Sequence, residues 1–252
     1  MKRNSCLTVA LCVALAGCGG MSLGNMDIGN ALGAATDLGK AVTVTDEEVK
    51  SYAKQMRDHE EKSGVKIAGT SSKYGKRLAN MTSKNSDYDG MKRNYKVFFD
   101  KEVNANASAD GSVRVYTGLM DLMNDSELMF VIGHEIGHVK HGHTLKAMRT
   151  ALVSSGLRKG AASTGGAAGA LAASELGALA ETALNARYSQ GQETESDDYG
   201  LAFLRKNKMK LGGAETSLRK LAKLSGGEHS FLSSHPEPNE RADRIAEEAK
   251  KS

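Results

Sequence analysis

Two histidines and one glutamate, close together in this chain of 252 residues, form its most chemically specific pattern. His134, Glu135 and His138 make an H-E-x-x-H motif on a predicted amphipathic helix. Positions i and i+4 differ by about 40° around a helix, so the two histidines can bind one zinc ion. Glu135 then lies where it can exchange protons with a water at the metal. The alternative without chemistry is two core or surface histidines beside a helical glutamate.

A catalytic zinc ion requires three protein ligands, and the residues directly after the motif do not supply the third. The extended pattern H-E-x-x-H-x-x-G-x-x-H requires glycine at position 141 and histidine at position 144, but this chain has His141 and Thr144. A slip of one residue rotates a helical side chain by about 100°. We therefore interpret His141 and His143 as ordinary histidines near the end of the helix.

The acidic segment at residues 192–198 contains a better candidate for the third ligand. If the segment is helical, Glu193 and Asp197 share a face with Leu201, whereas Glu195 and Asp198 point elsewhere. Carboxylates on an apolar face need partners, because an unpaired buried charge is costly. We predict that Glu193 binds the metal and that Asp197 holds the second ring nitrogen of a ligand histidine. The alternative for an acidic run is a solvated helix face.

Capping and periodicity predict the elements that position these residues. Thr45 and Glu48 form a capping box that starts one helix, and Asn124 with Glu127 starts the helix that carries H-E-x-x-H. Helices are predicted over residues 45–61, 71–81, 176–205, 214–224 and 239–250 and from 124 onwards, and strands over 95–99, 103–108 and 112–116. The expected fold is α+β and mostly helical, with a small, largely antiparallel sheet in one domain over residues 45–252.

The first 44 residues are predicted to be a targeting segment and a tether. A basic start and the apolar run at 7–15 indicate a signal peptide over residues 1–17, too short to span a bilayer. Leu-Ala-Gly before Cys18 is a lipobox pattern that predicts lipidation of Cys18; a simple signal with a chance cysteine is the alternative. By resemblance to enterobacterial sorting, Gly19 implies the outer membrane. Residues 18–44 would form a flexible tether.

Composition excludes several other classes of protein. The formal net charge is +4, with basic and acidic residues interspersed, which is too weak for a nucleic-acid-binding surface. All three cysteines lie in the first 18 residues, so the processed chain would keep only Cys18 and form no internal disulfide. The uncharged small residues at 160–174 are too few to cross a membrane, and we interpret them as a connector or part of a lid.

The pattern as a whole resembles a known family. H-E-x-x-H followed about 55 residues later by E-x-E-x-D is similar to the zinc metallopeptidase family of the CaaX prenyl protease and bacterial HtpX, of gluzincin type. The lipobox with a soluble body resembles the periplasmic lipoprotein branch of that family. Further matching segments are V-N-A at 103–105, Y-T-G-L at 116–119, Y-S-Q at 188–190 and H-P at 235–236.

The resemblance also bears on residues outside the motif. It implies an antiparallel edge strand near Asn104 and Ala105 that would bind an extended peptide by strand addition. His235 could support an oxyanion, could bind the metal as a fourth ligand, or could be an ordinary loop residue. Tyr188 and Arg241 are rival candidates for supporting the oxyanion.

The resemblance implies a zincin-like fold and one Zn²⁺ per chain, bound by His134, His138 and Glu193, with Glu135 catalytic. We predict a zinc metalloendopeptidase that is anchored at Cys18 to the outer membrane, faces the periplasm and cleaves unfolded or misassembled envelope proteins. Its partners would be polypeptide substrates and an envelope protease or assembly factor, but not nucleic acid. Two alternatives stay open: a chaperone-like or assembly lipoprotein with a closed, largely inactive zinc site, and a zinc hydrolase of non-peptide substrates.

Overall fold

The computed structural model describes residues 44–154, 173–184, 186–224, 231–236 and 238–251. Within these ranges the chain forms α1 (Asp46–Lys62), α2 (Lys73–Thr82), β1 (Asn94–Phe98), β2 (Ala105–Ala107), β3 (Ser112–Tyr116), α3 (Thr117–Leu122), α4 (Asp125–Lys140), α5 (His143–Ser154), α6 (Ala173–Leu184), α7 (Gln190–Lys206), α8 (Gly212–Ala222), α9 (Phe231–Ser234) and α10 (Pro238–Lys250). The predicted α+β, mostly helical class is confirmed.

Three sequence predictions fall wholly or mostly outside the described residues. These are the signal peptide at 1–17, the lipidated Cys18 with the tether up to residue 43, and the small-residue segment as far as residue 172. In the ranges that are described, no helix combines the length and the apolar character needed to cross a bilayer.

Side-chain caps start the first helix and the motif helix, as predicted. The Thr45 hydroxyl accepts from the backbone N–H of Glu48, whose carboxylate accepts from the backbone N–H of Thr45. Asn124 and Glu127 form the same reciprocal pair at the start of α4. Each box satisfies two N–H groups that a helix start otherwise leaves without partners.

The single helix predicted over residues 176–205 is wrong, because α6 ends at Leu184 and α7 begins at Gln190. The Ser189 hydroxyl accepts from the backbone N–H of Gln192, and the Gln192 side chain accepts from the backbone N–H of Ser189. This third capping box stabilises a new helix start at the site where one continuous helix had been expected.

The sheet is mixed, and the prediction of a largely antiparallel sheet is wrong for one of its two strand pairs. The strand order is β1–β3–β2. β3 pairs antiparallel with β2, but it pairs parallel with β1, from Asn94 opposite Ser112 to Phe98 opposite Tyr116. The connection at 99–104 is long enough to cross over β3, since two inter-strand spacings amount to about 9.6 Å. β3 can therefore lie between the two strands that precede it.

The two edges of the sheet differ. Residues 66–68 bond to the outer edge of β1. On β2, the backbones of Asn104 and Ser108 bond to β3. Bonded pairs alternate along an antiparallel ladder, so the backbone groups of Ala105 and Ala107 face the opposite edge. No hydrogen bond from the described part of the chain reaches those groups.

The motif helix α4 lies in the larger of two apolar clusters. Every residue from Glu127 to His138 is buried, so α4 is not amphipathic as predicted. The sheet, α7 and α8 pack against different faces of α4 and leave this stretch no solvent face. The smaller cluster joins α1, α5 and α6 through side chains such as Val49, Met148 and Leu179.

Candidate metal centre

Glycines bring α4 and α7 close enough for their side chains to share one site. A Cβ atom added to Gly133 would lie 2.9 Å from Phe203 Cβ, and one added to Gly137 would lie 3.0 Å from Ser196 Cα. A Cβ added to Gly200 would lie 3.0 Å from the Phe130 ring. No side chain fits at these positions without movement, so the two helices meet backbone to backbone.

The contact between α4 and α7 gathers the residues predicted as metal ligands. His134 Nε2 lies 3.0 Å from His138 Nε2. Glu193 approaches both rings, with Oε2 3.6 Å from His134 Nε2 and Oε1 3.4 Å from His138 Nε2. Together with His235, these residues offer ligand atoms that all lie within 4.8 Å of one another, and all four residues are buried.

These distances fit a single metal ion. Ligand atoms about 2.0–2.1 Å from a tetrahedral zinc are separated by about 3.3 Å. His134 Nδ1 lies 2.9 Å from the Asp197 carboxylate, so the ring donates its proton there and turns an unprotonated Nε2 towards His138. His138 Nε2 lies 3.0 Å from it, which brings the two ring nitrogens close enough to bind one cation. The donor set therefore suits a divalent cation.

Asp197 is itself held by a buried arginine. Arg241 donates to Asp197 Oδ2 through Nε at 2.9 Å and to Oδ1 through Nη2 at 2.7 Å. Its Nη1 contacts Glu193 Oε2. The Arg241 guanidinium thus clamps the two carboxylates of α7. Because its nitrogen atoms are engaged in this way, Arg241 is not placed to support an oxyanion, the role for which it was a candidate beside Tyr188.

His138 is supported by a different pair of residues, His143 and Glu195, to which the sequence pattern assigned no role at the metal. His138 Nδ1 lies 3.1 Å from Nδ1 of His143, and His143 Nε2 lies 2.9 Å from Glu195 Oε2. His143 is buried, so its interpretation as an ordinary helix-end histidine is wrong. The ring of Tyr188 stacks on the His138 ring with centroids 3.8 Å apart.

His235 reaches the centre from the loop after α9. Its Nδ1 lies 2.9 Å from Glu193 Oε1 and 3.2 Å from His134 Nε2, and its Nε2 lies 3.3 Å from Glu135 Oε1. Burial lowers the pKa of His235, but the carboxylates of Glu193 and Glu135 outweigh burial and raise the pKa to about 9. An ordinary loop residue would not have these contacts.

Burial and charge act in opposite directions on the carboxylates of α7. Burial raises the pKa of Glu193, but the neighbouring histidines outweigh it and hold the pKa far below its ordinary value. For Asp197, hydrogen bonds from Arg241 and His134 likewise outweigh burial and lower the pKa. Burial lowers the pKa of His138 well below its usual value, which keeps the ring neutral, as metal binding requires.

A cavity of about 180 Å³ connects the centre to the open edge of β2. Its walls include the backbone from Ala105 to Ala109, with Glu135, Tyr188 and His235 at the other side. Of the two residues predicted for a substrate strand, Ala105 faces this edge. The carbonyl of Asn104 instead accepts from the backbone N–H of Tyr116, so Asn104 uses its backbone within the sheet.

Comparison with protein families matches residues 72–249 to Peptidase family M48. The chain belongs to this family. It is a metallopeptidase, and the M48 match spans α4 and α7 and therefore every residue gathered at the metal centre.

Two relatives of this M48 chain align over almost their whole length. Metalloprotease LoiP of Escherichia coli (strain K12) is 42% identical over 243 residues, which cover 95% of this chain and 94% of LoiP. Metalloprotease YcaL of the same strain is 40% identical over 248 residues, 96% of each chain. A Putative beta-barrel assembly-enhancing protease of Vibrio cholerae is 30% identical over 166 residues, 60% of this chain and 33% of that protein.

Proposed function

We propose that this M48 metallopeptidase is a zinc endopeptidase, anchored at Cys18 to the periplasmic face of the outer membrane, that cleaves unfolded or misassembled envelope proteins. One observation carries the proposal: two imidazoles and a carboxylate converge beside Glu135, next to a strand edge with which no described segment of the chain pairs. Two histidines with one glutamate are the ligand set of a well-known class of catalytic zinc sites.

His134, His138 and Glu193 would hold the zinc. A zinc ion in such a site lowers the pKa of water and polarises a carbonyl group. Glu135 accepts the proton of the attacking water and later donates a proton to the leaving amine. Its carboxylate is buried and lines the cavity beside the metal centre, with Oε1 3.3 Å from His235 Nε2. Tyr188 and His235, which line the same cavity, are the candidates for stabilising the oxyanion.

The open edge of β2 favours an extended substrate. An incoming peptide can hydrogen-bond to the backbone groups of Ala105 and Ala107 and so lie along the cavity that contains Glu135. Extended segments with free backbone groups are most abundant in unfolded or misassembled chains, so these are the expected substrates. In strand addition the main-chain hydrogen bonds supply affinity whatever the side chains are, which suits a quality-control enzyme.

The proposed location rests on the lipobox before Cys18 and on the names of relatives. Lipidation at one cysteine with several acyl chains would give stable anchoring. The relative named a beta-barrel assembly-enhancing protease favours a role among envelope proteins, together with an envelope protease or assembly factor as partner.

A closed, largely inactive centre in a chaperone-like or assembly lipoprotein is the second candidate. The position of His235 favours it, because its ring offers a fourth ligand atom within 4.8 Å of the other three and contacts Glu135. A fourth protein ligand would take the coordination position that a catalytic zinc keeps for water.

The test uses the full-length chain expressed in a Gram-negative host and purified from its outer-membrane fraction in detergent. Bound zinc and cleavage of a chemically unfolded protein are measured for the wild type, Glu135→Gln, and the exposed control Glu240→Gln. We expect Glu135→Gln to keep its zinc and to lose about 10²–10⁴ in rate, because it cannot accept a proton. The control should cleave at the wild-type rate.

Equal, negligible cleavage by wild type and Glu135→Gln, with zinc retained, would contradict the peptidase assignment. A gain of activity in His235→Ala would support the closed centre instead. Recovery of the wild-type chain only from the soluble periplasmic fraction would contradict anchoring at Cys18.

A further inference from the structure

The two ligand histidines of α4 are supported in different ways. The outer nitrogen of His134 contacts Asp197, which is fully buried and clamped by Arg241. The outer nitrogen of His138, Nδ1, instead contacts Nδ1 of another histidine, His143. The sequence pattern predicted the role of Asp197 beside a ligand histidine, but it assigned no role to His143 or Glu195.

The second support becomes possible because the chain turns sharply after α4. Gly142 adopts φ +74°, a left-handed conformation that glycine tolerates and that ends the helix. α5 then starts at His143, which is only 6% exposed. The argument from helical spacing that set His143 aside assumed that it continues α4. His143 instead belongs to the next helix, and its ring turns back towards His138.

The hydrogen bonds specify where the protons lie. If His138 binds a metal through Nε2, its proton is on Nδ1, which donates to His143 Nδ1 at 3.1 Å. His143 then carries its own proton on Nε2, which donates to the Glu195 carboxylate at 2.9 Å. Each group has one donor and one acceptor in the required place, so the arrangement is consistent without any charged imidazole.

We propose that His143, held by Glu195, is a positioning residue that fixes the ring orientation and the Nδ1 proton of His138 for metal binding. The inference rests on the proposed function, since it requires a metal at the centre. It also gives a role to Glu195, whose side chain is 58% exposed and points away from the face of α7 that carries Glu193 and Asp197.

The geometry limits what else could perform this task. Tyr188 stacks on the face of the His138 ring and can restrict its tilt, but a stacked ring does not select which nitrogen carries the proton. Water cannot easily replace the His143 contact, because His138 is fully buried and His143 is nearly so. Loss of His143 would leave the outer nitrogen of His138 without a partner.

The experiment measures zinc affinity by competition with a chromophoric chelator, using the full-length protein in detergent. The variants are His143→Leu, which removes both hydrogen bonds, and His143→Asn, whose side-chain oxygen can replace Nδ1 as acceptor. Glu195→Ala removes only the outer support. The matched controls are His59→Leu, on α1 and outside the centre, and Asp198→Ala, an exposed acid of α7 paired with Arg244.

We expect His143→Leu to weaken zinc binding by about 10–100-fold and His143→Asn by less than about tenfold. Glu195→Ala should weaken it by about threefold, because its contact is half in solvent. In spectra of zinc-loaded protein with ¹⁵N-labelled histidine, the Nδ1 proton of His138 should be visible in the wild type and lost in His143→Leu. The two controls should match the wild type.

Wild-type zinc affinity in His143→Leu, or the same loss in His59→Leu, overturns the proposal. If His143→Leu does not fold, Glu195→Ala decides, because it lies at the surface, and wild-type affinity in that variant then overturns the proposal. A wild-type protein that binds no zinc contradicts the proposed function itself, and this outcome differs from a loaded wild type with unaffected variants.

Discussion

The helix pair α4 and α7, which carries metal ligands, is packed by different means from the covering layer, the three helices α1, α5 and α6 that line the cavity. α4 meets α7 through glycines and a buried ionic network around Arg241. α1, α5 and α6 meet through a small apolar cluster and through exposed ion pairs such as Arg149 with Asp46. The contact between α4 and α7 therefore fixes the positions of the ligands, and the covering layer contributes to ligand geometry through His143. Other contacts of the covering layer can vary at a smaller cost to stability.

The largest expected difference between the two regions concerns their arginines. In Arg241→Met the buried carboxylates of Glu193 and Asp197 lose their guanidinium partner. Removing one partner of a buried ion pair costs about 3–5 kcal/mol, because the remaining charge is left uncompensated. We expect a loss of that size in the free energy of unfolding, measured by urea titration of the protein with EDTA present.

Arg149→Met is the matched variant in the covering layer. Its ion pair joins side chains that are 31% and 55% exposed, so solvent screens the attraction. The expected loss is about 1 kcal/mol or less. Equal losses in the two variants would show that the two regions do not differ in the way proposed.

Local signals in the sequence predicted much of this arrangement. The capping residues at Thr45 and Asn124 mark helix starts that the structure confirms. Helical spacing also placed Glu193 and Asp197 on the buried face of α7. In each case the controlling interactions lie within one or two turns of the same helix, so the sequence contains them directly.

Features that depend on a change of direction were missed. The register argument that set His143 aside assumed one helix axis, but the chain turns at Gly142. The start of α7 is marked in the sequence by Ser189 and Gln192, three residues apart, which form a capping box. The G-x-x-x-G spacing of Gly133 and Gly137 was a further available signal for close helix contact. The parallel pairing of β1 with β3 depends on long-range contacts that no local pattern reports.

The second expected difference concerns glycines, where the same substitution should act in opposite directions. Gly133→Ala places a methyl group 2.9 Å from Phe203 and 3.1 Å from Gly200 Cα, so the seam between α4 and α7 must open. Overpacking of this kind costs about 1–3 kcal/mol, of which the better helix preference of alanine offsets up to about 1 kcal/mol. We expect lower stability in thermal unfolding and weaker zinc binding.

Gly177→Ala in α6 is the counterpart in the covering layer. Among the described residues, no heavy atom outside the neighbouring backbone of α6 itself lies within 4 Å of the added methyl group, and Gly177 is inside a helix. The substitution should stabilise the protein by about 0.5–1 kcal/mol, because alanine loses less conformational freedom than glycine. If both alanine substitutions changed the free energy of unfolding in the same direction, the proposed difference in packing between the two regions would be contradicted.

The third expected difference concerns the attachment of α1 to the sheet. Glu61 accepts from Lys96 on β1 and from Arg114 on β3, each at 2.6 Å. Burial raises the pKa of Glu61, but the two cations outweigh burial, and the pKa lies below its ordinary value of 4.5. Because the folded-state pKa is the lower one, this contribution is present above pH 4.5 and is lost as the pH falls through the folded-state pKa.

Glu61→Gln should therefore lower the free energy of unfolding by about 1–2 kcal/mol at pH 7, and the difference from the wild type should shrink as the solution is acidified below pH 4. Urea titrations across this pH range provide the measurement. Glu247→Gln, which breaks an exposed pair with Lys250, should cost about 0.3 kcal/mol. A Glu61 effect that does not change with pH would mean that packing, rather than charge, attaches α1. In that case the apolar cluster that α1 forms with α5 and α6 would hold α1 without help from the ion pairs of Glu61.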